Sequence, residues 1–327
     1  MANTAFAPNN NTTVSTADKF IPEIWSDEII AAYKKNLVLA NVVKRMNFKG
    51  KKGDVVHIPT PVRGSASLKV ATDAVKLIVN TEGDTLVNIN KHYEYSRLIE
   101  DIVQVQALNS LRGFYTEDAG YALARQVDTD LVRLGRSFNG ATVGTNDYAT
   151  SAASTKAFIG SDGTTAYNST SSNAAALTDA AIRRTIQRLD DNDVPMDGRF
   201  FLIPPSSRNT LMGLARYTEQ AFVGEAGGNN TIRNGEIGNL YGMPVFVSSN
   251  ADFGAGNSGA DRIALMGHKD SMVLVEQQGV RAQTQYKQEY LGTLFTSDTI
   301  YGVQALRTSA TAGAANASAA FALAVPA

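Results

Sequence analysis

The chain has 327 residues, enough for one large or two modest domains with a real core. Hydrophobic residues make up 43% and charged residues 19%, and a formal net charge of -1 argues against gripping nucleic acid by phosphate neutralisation alone. With no cysteine and only three histidines, disulfide frameworks, thiolate nucleophiles and cysteine-ligated zinc are excluded, and little material is left for metal or general-base chemistry. No apolar run approaches the roughly 20 residues of a bilayer span. The opening MANTAFAPNNNTT has neither the basic region nor the apolar core of a signal peptide. A soluble product assembled in a cytoplasm is expected.

Residues 1–16 are rich in Asn, Thr and Ala without period, and are expected to order only against a neighbour. After Ser26, a plausible N-cap followed by Asp27 and Glu28, apolar residues at Ile29, Ile30, Tyr33, Leu37, Ala40 and Val43 predict a helix with one apolar stripe. From Gly50 the pattern changes to a strand carrying Val55, Val56, His57 and Ile58, with Pro59 and Pro61 forbidding a central sheet position. Further on, two alternating runs are split by Thr81-Glu82-Gly83-Asp84, which reads as a hairpin turn. Residues 50–95 thus predict a long two-stranded excursion, only marginally stable alone, that should rest on another subunit.

The longest helix is expected over 116–138, with Tyr115, Ala119, Leu123, Val127, Leu131, Leu134 and Phe138 on one stripe, Thr116 as cap and Gly135 as terminator. An upstream apolar set, Ile99, Ile102, Val103, Leu108 and Leu111, extends it across a break near Gly113. Residues 139–173 are poor in charge and rich in Gly, Ser, Thr and Asn, a loop-rich, surface-exposed insertion. An amphipathic helix follows, with Ile182, Ile186 and Leu189 inward, ending before Pro195; then a buried strand from Arg199 to Ile203 and a short helix over 206–217. Strands are expected at 244–247, on both sides of residues 267–270, and in YLGTLFTSDTIYGVQAL. Residues 308–327 read as a low-complexity tail with one apolar patch, and no internal repeat is visible. Helices and strands mix without regular alternation, which favours an α+β class.

Motifs for chemistry are sparse. Gly254, Gly256 and Gly259 spell G-x-G-x-x-G, but the run that follows reads as a strand, whereas a dinucleotide site needs a helix N-terminus there. Around Lys49-Gly50-Lys51-Lys52 both the upstream glycine and the Ser/Thr of a phosphate loop are missing. His57, His92 and His268 lie far apart, each without a carboxylate at ligand spacing, and read as structural. Asp190, Asp191, Asp193 and Asp197 resemble a calcium loop only until Pro195 and Met196 take its fifth and sixth positions; a solvated helix end is the simpler reading. Lys44, Arg45, Lys49, Lys51 and Lys52 suit phosphates, a solvated hairpin base or salt bridges to a neighbour equally well. The Asn-x-Ser/Thr triplets at Asn11, Asn168, Asn229 and Asn316 would matter only in a secreted protein. No catalytic, cofactor-binding or metal residue is assigned.

Several segments, in order, resemble tailed-bacteriophage major capsid proteins, the family with the Hong Kong 97-type fold. FIPEIWSDEII with NLVLANVV, then GKKGDVVHIP, is similar to an N-terminal arm running into an extended E-loop. GYALARQVDTDLV resembles the spine helix of the peripheral domain, and LDDNDVPMDGRFFLIPP with GEIGNLYGMPVFVSSN resembles the axial domain. The segment from MGHKDSMVLVEQ to IYGVQALR resembles the return through both. The resemblance implies an arm over 1–49, an E-loop over 50–95, a peripheral domain over 96–138, an axial domain with the insertion over 139–270, and return strands plus tail over 271–327. It also implies a shell of homo-hexamers and homo-pentamers around double-stranded DNA, located in the virion. Portal, scaffold and decoration proteins would be partners, with DNA touched weakly and without sequence specificity, no membrane, no cofactor and no enzyme activity. Two competing roles are an encapsulin-type compartment, with protein cargo instead of DNA, and a surface-array or adhesion protein, which would need an export signal and repeats.

Overall fold

The computed structural model describes residues 38–50, 52–60, 66–69, 71, 74–77, 83–106, 111–135, 138, 157–167, 173–214, 238–250, 253–255, 261–307 and 318–326. The predicted helix over 29–43 therefore falls mostly outside the described residues. Its described end is a single turn, α1 (Leu39–Val42), after which Val43 turns extended and the chain becomes strand β1 (Lys44–Asn47). The ribbon strands are β2 (Val55–Thr60) and β3 (Gly83–Asn88), and β4 (Lys91–Glu100) leads into α2 (Asp101–Gln106) and the long α3 (Leu111–Gly135). Then come β5 (Phe158–Ile159), α4 (Asp179–Asp191), β6 (Arg199–Ile203), α5 (Pro205–Met212), β7 (Asn239–Leu240), β8 (Met243–Val247) and β9 (Phe253–Ala255). The chain closes with β10 (Asp261–His268), β11 (Met272–Lys287), β12 (Gly292–Ala305) and β13 (Ala320–Pro326).

Two sheets carry the architecture. In the first, β5, β13, β10, β6, β8 and β7 lie side by side in that order, with β9 also paired to β10. Its central strands are buried on both faces, so they read as continuous apolar runs; all five residues of β6 are buried. Alternation still divides them. Phe201, Ile203, Ala264, Met266, Phe321 and Leu323 face α4, whose Ile182 and Leu189 close that core, while Phe200, Leu202, Leu265 and Ala320 face the other way. Thr178 caps α4 by accepting from the Ala181 N–H at 3.2 Å, as the capping rules lead one to expect.

The second sheet has the order β1, β11, β12, β4, with β1 parallel to β11 and the other pairs antiparallel. β10 passes into β11 through a short turn over Lys269–Ser271, so one continuous stretch of chain belongs to both sheets. α3 lies across the junction. Its Leu131 and Leu134, with Phe138 beyond its end, are fully buried in one cluster with Leu274, Tyr301 and Val303 of the second sheet and Phe200, Leu202, Leu265 and Ala320 of the first. At Gly135, the last residue of α3, the helix packs closely on the first sheet: an added Cβ would stand 2.6 Å from Leu265 Cδ2.

Several sequence expectations change. Gly113 lies inside α3, which begins at Leu111 before Thr116; Ile99 belongs to β4, and Ile102 and Val103 to the separate α2. Gly83 and Asp84 form no turn: they are strand residues of β3, opposite Thr60 and Pro59, and Pro59 is tolerated because this sheet has only two strands. Tyr93 and Tyr95, read as ribbon, pair with Thr299 and Ser297 inside the second sheet. The ribbon base also rests on its own chain, since Val56, Ile58 and Val87 pack on Val273 and Val275, on the face of β11 opposite α3. Beyond that base, Leu68, Val75 and Leu77 stand 90%, 74% and 90% exposed.

Two low-complexity segments also prove structural. Within the expected surface insertion, Ala157 and Tyr167 are buried, β5 pairs with β13, and the Tyr167 hydroxyl donates to Asp261 Oδ2 at 2.7 Å. The Ala-rich tail supplies β13, an interior strand between β10 and β5 with six of its residues buried. Small side chains suit that lane: Gly267 lies so close to Ala320 that an added Cβ would sit 2.6 Å from the alanine's own.

The α3 stripe generates a stability test. Leu131→Ala removes a side chain with no exposed surface, and should lower subunit stability by about 2–5 kcal/mol. Chemical denaturation of the soluble subunit measures it, and an unchanged midpoint would remove the stripe from the core.

Candidate functional site

The residues singled out for chemistry are not gathered. His57 Nδ1 lies 2.5 Å from Asp84 Oδ2 across the exposed ribbon, and His92 Nε2 lies 3.3 Å from Asp298 Oδ2 in the second sheet. His268 Nε2 bonds the Asp197 carbonyl at 2.8 Å, while its Nδ1 accepts from the Asp270 N–H at 3.1 Å. Each histidine thus gains a carboxylate or carbonyl neighbour only through folding, and no two share a site. Among the described residues no group of three or more His, Asp or Glu is placed to hold a metal. Of the glycine motif, Gly254 lies in β9, Gly256 and Gly259 fall outside the described residues, and the described chain resumes at Asp261 as strand β10 where a dinucleotide site would need a helix. Asp190 pairs with Arg199 at 2.7 Å, as part of a helix end rather than a calcium loop.

The polar groups with structural consequence are two acids on α3 that patterning passed over. Asp128 accepts from the Leu39 and Ala40 N–H groups at 2.8 and 3.3 Å, supplying from a distance the cap that α1 lacks locally. Its second oxygen accepts from Asn250 Nδ2 at 2.9 Å, so α1, α3 and the loop after β8 meet at one carboxylate. Burial raises the Asp128 pKa, and the hydrogen bonds from Asn250, Ala40 and Leu39 pull against that rise. Asp130, two residues on, bonds Lys91 Nζ at 3.0 Å and accepts from the Tyr301 hydroxyl at 2.7 Å and Gln126 Nε2 at 3.2 Å. Burial, and then the Asp130 charge, drive the Tyr301 pKa far upward. Two acids set between Val127 and Leu131 of the apolar stripe were the available sequence clue, because charge beside such a stripe implies a partner.

A third carboxylate organises the outer half of the long strands. Past Glu276 the β11–β12 register slips twice, bulging β11. Asp298 holds that bend, accepting from Arg281 Nε and Nη2 at 3.1 and 2.9 Å and from Gln278 Nε2 at 2.8 Å. These bonds, Arg281 foremost, keep the Asp298 pKa below its ordinary 3.8 despite partial burial.

Among the described residues, exposed apolar side chains group chiefly in three places, with Phe114 and Val280 standing apart from them. The ribbon carries Leu68, Val75 and Leu77. At the far end of the second sheet, Leu98, Ile102, Val103, Tyr286, Tyr290 and Leu291 gather where the Asp101 N–H donates to the Leu291 carbonyl at 3.0 Å and the Tyr286 hydroxyl to Asp101 Oδ2 at 2.8 Å. On the first sheet's side, Met196, Met212 and Tyr241 are exposed. Exposed apolar surface at separate extremities is the physical mark of a protein that completes its burial against other molecules.

The bend yields a pH test. A depressed folded pKa contributes stability that is present above the unfolded value near 3.8 and is lost as pH falls through the folded value. The parent should therefore be more stable than Asp298→Asn at neutral pH, and the gap should close in acid below about pH 4. Denaturation midpoints of both proteins across pH measure it, and a pH-independent gap would contradict it.

The chain and its fold match known proteins. Residues 21–309 match the model of a family described as phage capsid protein. Among curated proteins there is no match. Solved structures are similar over nearly the whole chain. One from Mycobacterium phage Che8 has 22% identity and a TM-score of 0.70, covering 93% of this chain and 97% of that one. The capsid of cyanophage P-SCSP1u has 18% identity and a TM-score of 0.72, with 96% and 95% covered. The capsid of Ralstonia phage GP4 has 16% identity and a TM-score of 0.66, with 97% and 98% covered. Nothing in these matches supports the encapsulin-type or surface-array readings. With the family model spanning most of its length and the Hong Kong 97-like fold shared throughout, the chain belongs to the phage capsid protein family.

Proposed function

We infer that this chain is the major capsid protein of a tailed phage, the repeated subunit of an icosahedral shell. The observation that carries the reading is the ribbon, whose base is anchored on β11 while Leu68 and Leu77 stand 90% exposed. Apolar side chains held that far into solvent by a paired base suit a strap laid over a neighbouring subunit. The ribbon from residue 50 up to the start of β4 serves as the E-loop, α3 and the second sheet as the peripheral domain, the first sheet as the axial domain, and the residues before β1 as the arm. Copies arrange as hexamers and pentamers, with a portal, a scaffold and decoration proteins as further partners. The enclosed double-stranded DNA is touched weakly, in keeping with a net charge of -1. The role asks for no catalytic group, cofactor or membrane; among the described residues no helix is long and apolar enough to cross one.

The test separates folding from assembly. Leu77→Asp changes an exposed residue, so subunit stability should move by no more than about 0.5 kcal/mol. Closed shells, scored by electron microscopy and sedimentation of the expressed protein, should be lost or sharply reduced. A variant that assembles like its parent would overturn the strap.

A further inference from the structure

A cleft of about 450 Å3 lies between α3, β1 and strands β11 and β12, on the other side of β11 from the ribbon base. Its walls are apolar, with Leu123 and Val127 from the helix, Leu274 and Tyr301 from the sheet, and Val280 standing 58% exposed. Its polar lining includes Arg45, Lys49 and Glu276. Lys49 Nζ lies 3.7 Å from Glu276, which balances that pair. Arg45 donates to neutral oxygens, from Nε to the Ala40 carbonyl at 2.7 Å and from Nη2 to Asn41 Oδ1 at 3.2 Å, and these leave its charge uncompensated. Among the described residues the cleft therefore presents an apolar slot beside one net positive charge, and its fitting occupant is a large apolar side chain with carboxylates close by.

The chain contains such a segment. Residues 20–30, FIPEIWSDEII, combine Phe20, Ile24 and Trp25 with Glu23, Asp27 and Glu28 and carry no cation. They lie outside the described residues, and the described chain begins at Val38, two positions before Ala40 on the cleft wall. The link from Trp25 to Val38 reaches up to about 45 Å when extended, and tethering raises the local concentration of the segment at the cleft. We propose that residues 20–30 dock into this cleft of their own chain, with Trp25, the sole tryptophan, as anchor. Docking there continues the contact that Asp128 makes with α1, and holds the arm on the spine helix. The proposal concerns a single chain and does not depend on the shell reading.

The absence of cysteine makes the test direct. In the full-length protein, Ser26→Cys with Val280→Cys places thiols on segment and cleft; Ser26→Cys with Tyr290→Cys is the control, because Tyr290 is equally exposed but sits at the far end of the sheet. With copper phenanthroline as oxidant, the first pair should form a disulfide at single-chain mass on non-reducing gels, and the control pair should not. Adding Trp25→Ala to the first pair should slow its formation about tenfold or more, the effect of removing a buried aromatic anchor. Equal rates in both pairs, or no disulfide in the first, would overturn the docking. A product at twice the chain mass would also overturn it, by seating the segment on a neighbouring copy.

Discussion

Everything else in the molecule depends on the apolar seam beneath α3. Leu131, Leu134 and Phe138 belong to one buried cluster with side chains from both sheets, so the helix is shared core rather than a lid on either. A helix packed on a single sheet leaves the other free to swing. Here removal of the stripe would open both sheets at once. The acids on α3 extend the same logic: Asp128 ties the arm and the loop after β8 to the helix, and Asp130 ties β4 and β12 to it through Lys91 and Tyr301. Buried ion pairs add little net stability, but breaking one leaves a charge stranded, so they fix which elements meet.

That rigid centre explains how the periphery can stay incomplete. The β11–β12 ladder runs from buried Met272 and Ala305 out to exposed Tyr286, Tyr290 and Leu291, and the ribbon leaves from a base fixed on Val273 and Val275. Both are long levers anchored at one end. Among the described residues their outer apolar side chains find little cover from their own chain, and the hydrophobic effect favours burying them between molecules. A capsid subunit needs this division: a core that survives alone, and extensions whose stability is completed by neighbours.

The sequence made much of the centre legible. The α3 stripe stood out because its apolar spacing matches a helix, and β6 because Phe200 to Ile203 is an unbroken apolar run closed by Pro204-Pro205. The misreadings share a physical cause, since local pattern cannot report a partner far along the chain. Gly83 and Asp84 have turn chemistry, yet β2 recruits them as strand because its own residues 55–60 need a ladder. Residues 320–326 lack bulk and polarity and so look featureless, whereas the lane beside β10 admits only small side chains near Gly267. Lys44 ends a helical pattern because the edge of β11 is there to receive β1. Asp128 and Asp130 were visible as charges beside an apolar stripe, but apart from Gln126, one turn away, partners such as Lys91, Leu39, Asn250 and Tyr301 lie far along the chain, beyond any local reading.

Hydrogen–deuterium exchange, compared between free subunits and assembled shells of the same protein, tests the division between centre and levers most directly. Amides of α3, β6, β10 and the buried half of β11 should be equally protected in both states, because their burial is complete within one chain. Amides of residues 66–69 and 74–77 should exchange fast in the subunit and slowly in the shell. Protection of those ribbon residues already in the free subunit, or no gain on assembly, would contradict the account.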